Sequence, residues 1–477
     1  MTTSLGSQTV TRSLQWGVES VLVAYLPEEC FSESSWVVTT VLTDFLGLPA
    51  RCVPAPKSEV RLEIHGKTLS LPGSFFPSLN EHWSKPDLSW LEPMGTSLMQ
   101  APLQPPNGGR SFSLEDDSRW FRFDENGNGA LGLDVFGLAF LFLSRYEELA
   151  NCTRDRHGRF PAEASLSQRW GVLERSVVDE RVEILSQGIK KVWPRLSCDR
   201  PASRTLVSCD VDCPYSPYTQ SIRRAARKVV GDVVRRKSAL AAGRTLLNTM
   251  ATPFGCFRFD PNDTFDWMMD ANERCGNKVT FYFTAGGVHE LDPIYSIREP
   301  RLKKLIARIL ERGHEVGLHG SYLSFDRPEI LKQEANDFLE FLESQNLLTN
   351  NLGGRQHYLR WDVRTTPQAH ASAGLEHDSS LCFAQHPGFR CGTSREYTMY
   401  DLVGRKPLPL KQRPLLVMEC SVISEEYLGL GPSSQAFSVM DEIKRTALYW
   451  GGDHTLLWHN SFLETPEARE LYCQLIK

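Results

Sequence analysis

From residue 203 to the C-terminus, short apolar runs that end in polar residues alternate with longer amphipathic stretches. Residues 205–209 (TLVSC) lead into Asp210, residues 278–283 (KVTFYF) form a second run and residues 316–319 (VGLH) a third. Runs at 358–360 (YLR), 415–419 (LLVME) and 455–458 (TLLW) follow. Short apolar runs bounded by turns and followed by helices read as strands buried on both faces. Between them, residues 300–312, 329–344 and 434–449 carry a helical pattern. Alternation of this kind over about 270 residues predicts a parallel α/β architecture, with its active site at the carboxyl ends of the strands.

The first two hundred residues read differently. Residues 20–25 (SVLVAY) are strand-like, and residues 60–71 (VRLEIHGKTLSL) alternate in polarity on either side of Gly66-Lys67, which predicts a hairpin. Residues 131–148 (LGLDVFGLAFLFLSRYEE) predict a helix that is apolar on nearly all sides and then abruptly charged. Its longest apolar stretch, 133–143, is too short to cross a bilayer and reads as buried. A polar turn at 155–161 (DRHGRFP), a helix at 177–192, and Pro194 with Pro201 close this unit. Arg145, Glu147, Glu148 and Arg159 are charges placed to form a buried ionic cluster that docks the two units.

Composition narrows the classes. A formal charge of −5 gives no reason to expect nucleic acid as a general partner. The first residues (MTTSLGSQ) lack a basic region followed by an apolar core, so no export signal is expected. The twelve cysteines are scattered without a Cys-x-x-Cys pair, which fits reduced thiols in the cytoplasm. Cys209 and Cys213 flank Asp210 and Asp212, and soft metal ligation is their minor alternative. Between 221 and 250, Arg223, Arg224, Arg227, Lys228, Arg235, Arg236, Lys237 and Arg244 face a lone Asp232. That segment reads as a solvated helical excursion, as a basic lid for an anionic substrate, or as a peripheral membrane contact.

Three motifs carry the chemistry: Cys209-Asp-Val-Asp-Cys-Pro214, Gly313-His-Glu-Val-Gly-Leu-His319 and Leu456-Leu-Trp-His-Asn460. A spacing of two puts Asp210 and Asp212 on one face of an extended segment, able to converge on one ion. In this order the motifs resemble those of the polysaccharide deacetylases (the NodB-homology group), over roughly residues 203–477. The resemblance implies an irregular (β/α) barrel of that type at 203–477, in which the basic helical segment at about 216–250 reads as an insertion. A smaller α+β domain at 1–200 would precede it, similar to an uncharacterised N-terminal domain found ahead of bacterial deacetylases of this branch. It also implies a divalent metal, most simply Zn²⁺, and removal of an N-acetyl or O-acetyl group from a sugar or a polysaccharide precursor. Such a precursor could be nucleotide-linked or lipid-phosphate-linked. The alternative is an inactive carbohydrate-binding or assembly protein on the same barrel.

Residue by residue, the resemblance makes Asp210 the base, Asp212 a metal ligand, His319 the first of two ligand imidazoles and His459 the general acid. Where the second imidazole belongs stands Leu323. Two protein ligands under-coordinate a catalytic zinc, which usually has three. His357 is the first replacement to consider, with a core or substrate-contacting role open to it; His377 and His386 are weaker candidates. Arg360 falls where an arginine would orient Asp210. Tyr322, Arg390 and Trp458 are candidates for substrate contact, Trp458 equally for the core. His314, Asp378 and Ser379 read as framework.

Overall fold

The computed structural model of the chain describes residues 21–85, 87–100, 120–216, 222–234, 239–254, 257, 259–347 and 352–477. The N-terminal eight residues, Ser20, and the basic Arg235, Arg236 and Lys237 lie outside the described residues. Two sheets organise the molecule. The first unit holds β1 (Leu22–Pro27), β2 (Ala50–Ala55), β3 (Glu59–Ile64), β4 (Lys67–Pro72), β5 (Phe121–Phe123) and β6 (Gly129–Leu131), in the order β2-β1-β3-β4-β6-β5. The expected hairpin is β3–β4. Its turn sits one residue earlier than Gly66-Lys67, because His65 and Gly66 both take left-handed φ, of 50° and 75°, as a two-residue hairpin turn requires.

The apolar stretch expected as one helix over 131–148 is broken. Residues 129–131 are strand, and the helix Val135–Leu143 starts after Asp134, whose Oδ1 accepts from the amide of Gly137 at 2.8 Å. The chain turns at Arg145 (φ 60°) before the helix Tyr146–Ala150. That turn aims the Arg145 guanidinium into the interior, where its partners lie.

The second sheet has nine strands: β7 (Thr205–Asp210), β8 (Val279–Phe283), β9 (Glu315–Gly320), β10 (Gly353–Gln356), β11 (His377–Asp378), β12 (Tyr397–Asp401), β13 (Lys406–Gln412), β14 (Val417–Met418) and β15 (His454–Leu457). Their order is β12-β13-β11-β10-β9-β8-β7-β15-β14, parallel throughout except for β12. β7 is expected from its apolar run and is buried from Val207 onward. The strand expected at 358–360 lies instead at 353–356, and of the run 415–419 only Val417–Met418 is strand.

The sheet curls into a half-barrel. Leu359, just after β10, shares a small apolar cluster with Met418 on β14 and Leu457 on β15, although β10 and β14 stand far apart in the strand order. The segment after β11 bridges the gap with backbone bonds, from Leu415 N to Leu381 O at 3.2 Å and from Gly388 N to Leu416 O at 2.9 Å. Among the described residues these bonds, rather than a strand pair, bring the two sides together.

The two sheets share packing. Tyr397, Met399, Tyr400 and Leu410 of the β12–β13 hairpin belong to the same buried cluster as Val37, Phe140 and Leu141 of the first unit. The ionic cluster expected between the units is present for three of its four members. Glu148 accepts from Arg145 Nε at 2.9 Å and from Arg390 Nε and Nη2 at 3.0 and 2.8 Å, all fully buried. Arg145 Nη2 also reaches Glu147 at 2.5 Å. Arg159 is not part of it; it lies with Asp155 at the mouth of the second unit. In the basic insertion, the helices Ile222–Val234 and Ala239–Ala251 are tied by Asp232, which accepts from Thr245 Oγ1 at 2.9 Å and pairs with Lys228 at 3.4 Å. No helix among the described residues is long and apolar enough to cross a membrane.

Candidate metal centre

Parallel strands deliver their carboxyl ends to one side, and the polar residues that terminate the apolar runs meet there. Asp210 ends β7 and Asp212 follows it, His319 lies on β9, His357 follows β10, and His459 follows β15. His319 Nε2 stands 3.3 Å and His357 Nε2 3.6 Å from Asp212 Oδ1, while His459 Nε2 stands 3.5 Å from Asp212 Oδ2. The donor atoms of Asp212, His319 and His357 all lie within 4.8 Å of one another. Two bonds of about 2.1 Å at a tetrahedral angle put their donors about 3.4 Å apart, so these separations suit one cation.

The hydrogen bonding of the ligand candidates also fits a cation. Asp212 Oδ1 is buried and receives no hydrogen bond, an expensive state unless something positive meets it. A carbonyl can only accept, so His319 donates from Nδ1 to Arg355 O at 3.0 Å, which leaves Nε2 facing Asp212. Asp292, on the loop after β8, sits 3.4 Å from His357 Nδ1 and does the same for that ring. Asp292 is itself fixed by the amides of Tyr322 (2.7 Å) and His289 (2.9 Å). Carbonyl or carboxylate partners on the far nitrogen are how ligating histidines are oriented.

Charge is concentrated here. Burial alone would raise the pKa of Asp212, but His357, His319 and His459 hold it well below the usual carboxylate range. Burial likewise opposes protonation of His319, and the carboxylates of Asp210 and Asp212 outweigh it, so its pKa is raised. His459 is raised further, burial notwithstanding, by Glu419, whose Oε1 stands 2.5 Å from its Nδ1. Glu419 and Cys420 form a second group of donors with His459.

Asp210 is held by an arginine other than the expected one. Arg355 Nη1, on β10, lies 3.4 Å from Asp210 Oδ1, and Arg355 Nη2 donates to Ser379 Oγ at 2.8 Å. Arg360 does not reach Asp210: its Nε donates to His157 O at 2.7 Å, its Nη1 to Tyr322 O, and its guanidinium lies between the rings of Tyr322 and Phe325.

The three expected substrate contacts are packed away. Arg390 is spent on Glu148 and on Cys382 O (2.8 Å). Trp458 is fully buried in the core of the second unit against Tyr472. Tyr322 is buried, stacked on His289 at 4.4 Å, its hydroxyl 3.1 Å from His157 Nδ1.

His377 meets Tyr282 OH at 3.1 Å and His386 meets Pro387 O at 2.6 Å, so neither joins the centre. Cys209 is buried in the core, where burial pushes its thiol up, and Cys213 is exposed. His314 is framework, accepting from Val279 N at 3.0 Å and lying 3.2 Å from Glu273.

A cavity of about 220 Å³ opens over Asp210, Asp212, His319 and His459, with Arg159 and Tyr427 among its walls. A second, of about 390 Å³, is also lined by Asp212 and His357 and takes in Tyr215, Arg224 and Arg301. Tyr358 lines both. Arg355, Glu419, Asp292 and Tyr358 went unassigned from sequence. For Glu419 a signal existed, since it ends the run 415–419 as Asp210 ends 205–210.

Residues 22–194 match a family of unknown function (DUF7033). No curated protein matches the chain. Among solved structures, a protein from Mycobacterium smegmatis provisionally described as a polysaccharide deacetylase is similar over 59% of this chain and 85% of its own, at 15% identity and a TM-score of 0.37. Puue allantoinase is similar over 44% of this chain and 65% of its own, at 14% identity and a TM-score of 0.31. Both likenesses are slight, and neither assigns this chain a family.

Proposed function

We propose that the chain is a metal-dependent hydrolase that removes an N-acetyl or O-acetyl group from a sugar or a surface-polysaccharide precursor. The observation that carries this reading is Asp212 Oδ1, buried without a hydrogen bond and faced by the free Nε2 atoms of His319 and His357. Asp212, His319 and His357 would hold the cation, and a nitrogen-and-oxygen donor set of three suits catalytic Zn²⁺. When bound, such an ion supplies a Lewis acid for the acyl oxygen and a water whose pKa falls to about 7. Asp210, oriented by Arg355, takes up a proton at its carboxylate. His459, braced by Glu419, presents Nε2 to the cavity to give a proton to the leaving nitrogen or oxygen.

Arg224 and Arg301 in the second cavity favour a substrate whose sugar carries a phosphate, through a nucleotide or a lipid. The reading includes a bacterial enzyme acting in the cytoplasm, with a peripheral membrane contact if the phosphate belongs to a lipid.

Metal content and acetate release test it together. Purified protein is expected to carry one equivalent of a divalent ion, lost on Asp212→Ala, and to liberate acetate from a phosphate-linked N-acetylamino sugar. Full metal occupancy after Asp212→Ala would end the proposal, and so would a loaded protein inert on every acetylated sugar offered.

A further inference from the structure

We infer that the six-stranded unit is a positioning element for the cation centre, because it holds the turn that presents His357. The inference rests on the reading of Asp212, His319 and His357 as ligands. Directly after His357, Tyr358 and Leu359 both take left-handed backbone angles, φ 62° and 55°. Residues with side chains keep such angles only where the surroundings impose them. Leu359 is packed among second-unit residues, Met418 and Leu457 among them. Tyr358 is met by residues 155–161 of the first unit, which lie inside the span matched to the family of unknown function.

Three of the contacts that reach across fall on residues 358–360. Arg159 Nη1 donates to Tyr358 O at 3.2 Å. His157 O accepts from Arg360 Nε at 2.7 Å. The His157 ring lies 4.8 Å from that of Tyr358. The turn that makes these contacts is itself braced. Asp155 Oδ1 accepts from the amides of His157 (2.8 Å) and Arg159 (2.9 Å), and its Oδ2 takes Arg159 Nε at 2.8 Å. Arg159 therefore joins a rigid turn on one side to the backbone next to a ligand on the other. Without it, nothing among the described residues of the first unit bonds the carbonyl of Tyr358, and the approach of His357 to Asp212 rests on Asp292 alone. Arg159 is a positioning residue; the first unit completes a centre that the second unit supplies with ligands.

The test uses the full chain, stripped with a chelator and titrated with Co²⁺, whose absorption spectrum reports ligand geometry. Arg159→Ala is expected to weaken Co²⁺ binding by about tenfold or more and to change the spectrum. Arg159→Lys retains a charge for Asp155 but lacks the second nitrogen that reaches Tyr358 O, so it is expected to weaken binding as well, and it covers the case in which the alanine variant fails to fold. Arg364→Ala removes a different bond between the units, to Leu149 O at 2.9 Å, and is expected to leave affinity unchanged. The inference is overturned if Arg159→Lys binds as the unmodified chain does, or if Arg364→Ala weakens binding equally. Asp212→Ala in the same titration separates the two levels. Loss of binding there with none on Arg159 substitution refutes the positioning role alone, whereas intact binding on Asp212→Ala removes the ligand set and the inference with it.

Discussion

On Glu148 two fully buried guanidinium groups, those of Arg145 and Arg390, converge from opposite units. Replacing it with Gln keeps the shape and removes the charge. The Gln carbonyl can still accept from the two Nε groups, but its amide nitrogen cannot accept from Arg390 Nη2. Both guanidinium groups lose the charge of Glu148, Arg145 retaining that of Glu147. Stripping one partner from a buried pair costs about 3–5 kcal/mol, against roughly 0–1 for an exposed pair and a total stability of about 5–15. Glu148→Gln is therefore expected to remove a large share of the stability measured by urea unfolding. A double-mutant cycle with Arg390→Met should show strong coupling between the two sites.

The pH dependence has a definite sign. Burial pushes the carboxyl up, but Arg390 and Arg145 outweigh it and leave its folded pKa below the ordinary value. The contribution is then complete above the unfolded carboxylate pKa of about 4.3 and disappears as pH falls through the folded value. The gap between wild type and variant should be constant from pH 6 to 8 and close under acid. A loss below about 1 kcal/mol at pH 7, or a gap that widens in acid, would refute the reasoning.

Other expectations follow from single contacts. Arg355→Met should cut kcat by about a hundredfold or more, the scale of a positioned general base, while metal content stays at one equivalent; unaltered kcat would show that Asp210 needs no holder. Asp292→Asn should weaken metal affinity about 10–100-fold in a chelator-competition assay, and equal affinity would remove Asp292 as the partner that orients His357. His454 is buried with both ring nitrogens unpaired, and burial, with Lys444 nearby, pushes its pKa down to about 3. Its unfolded pKa is about 6.5, so only the unfolded chain takes the proton between these values, and stability should fall with falling pH by up to about 1.4 kcal/mol per unit. His454→Leu should flatten that slope; parallel stability curves for the two proteins would contradict it.

How far the residues were readable depends on whether their signal was local. Asp210, Asp212, His319 and His459 sit where apolar runs end, and parallel strands gather such ends without further information. Arg355 was hidden because its strand does not look like one. Gly353 and Gly354 open it, and they are glycine because an added Cβ would stand 2.1 Å from the His377 ring at the first position and 2.6 Å from Leu375 at the second. That requirement comes from the chain at and just before β11, about twenty residues on. With Gly353–Gln356 unrecognised, the run 358–360 took its place and moved the expected arginine from 355 to 360. Arg390 and Glu148 are 242 residues apart, so a charge destined for neutralisation reads in isolation as a charge offered to a ligand. Asp292 stands on a loop whose approach to His357 is set wholly by tertiary structure.

The hairpin of β12 and β13 turns large apolar side chains toward Val37, Phe140 and Leu141. A gene fragment encoding residues 203–477 by themselves would leave Tyr397, Met399, Tyr400 and Leu410 wet, an adhesive patch that favours precipitation over folding. Neither half is then expected to fold when trimmed, swapped onto another partner or duplicated alone without a new cover for the same aromatic and aliphatic surface.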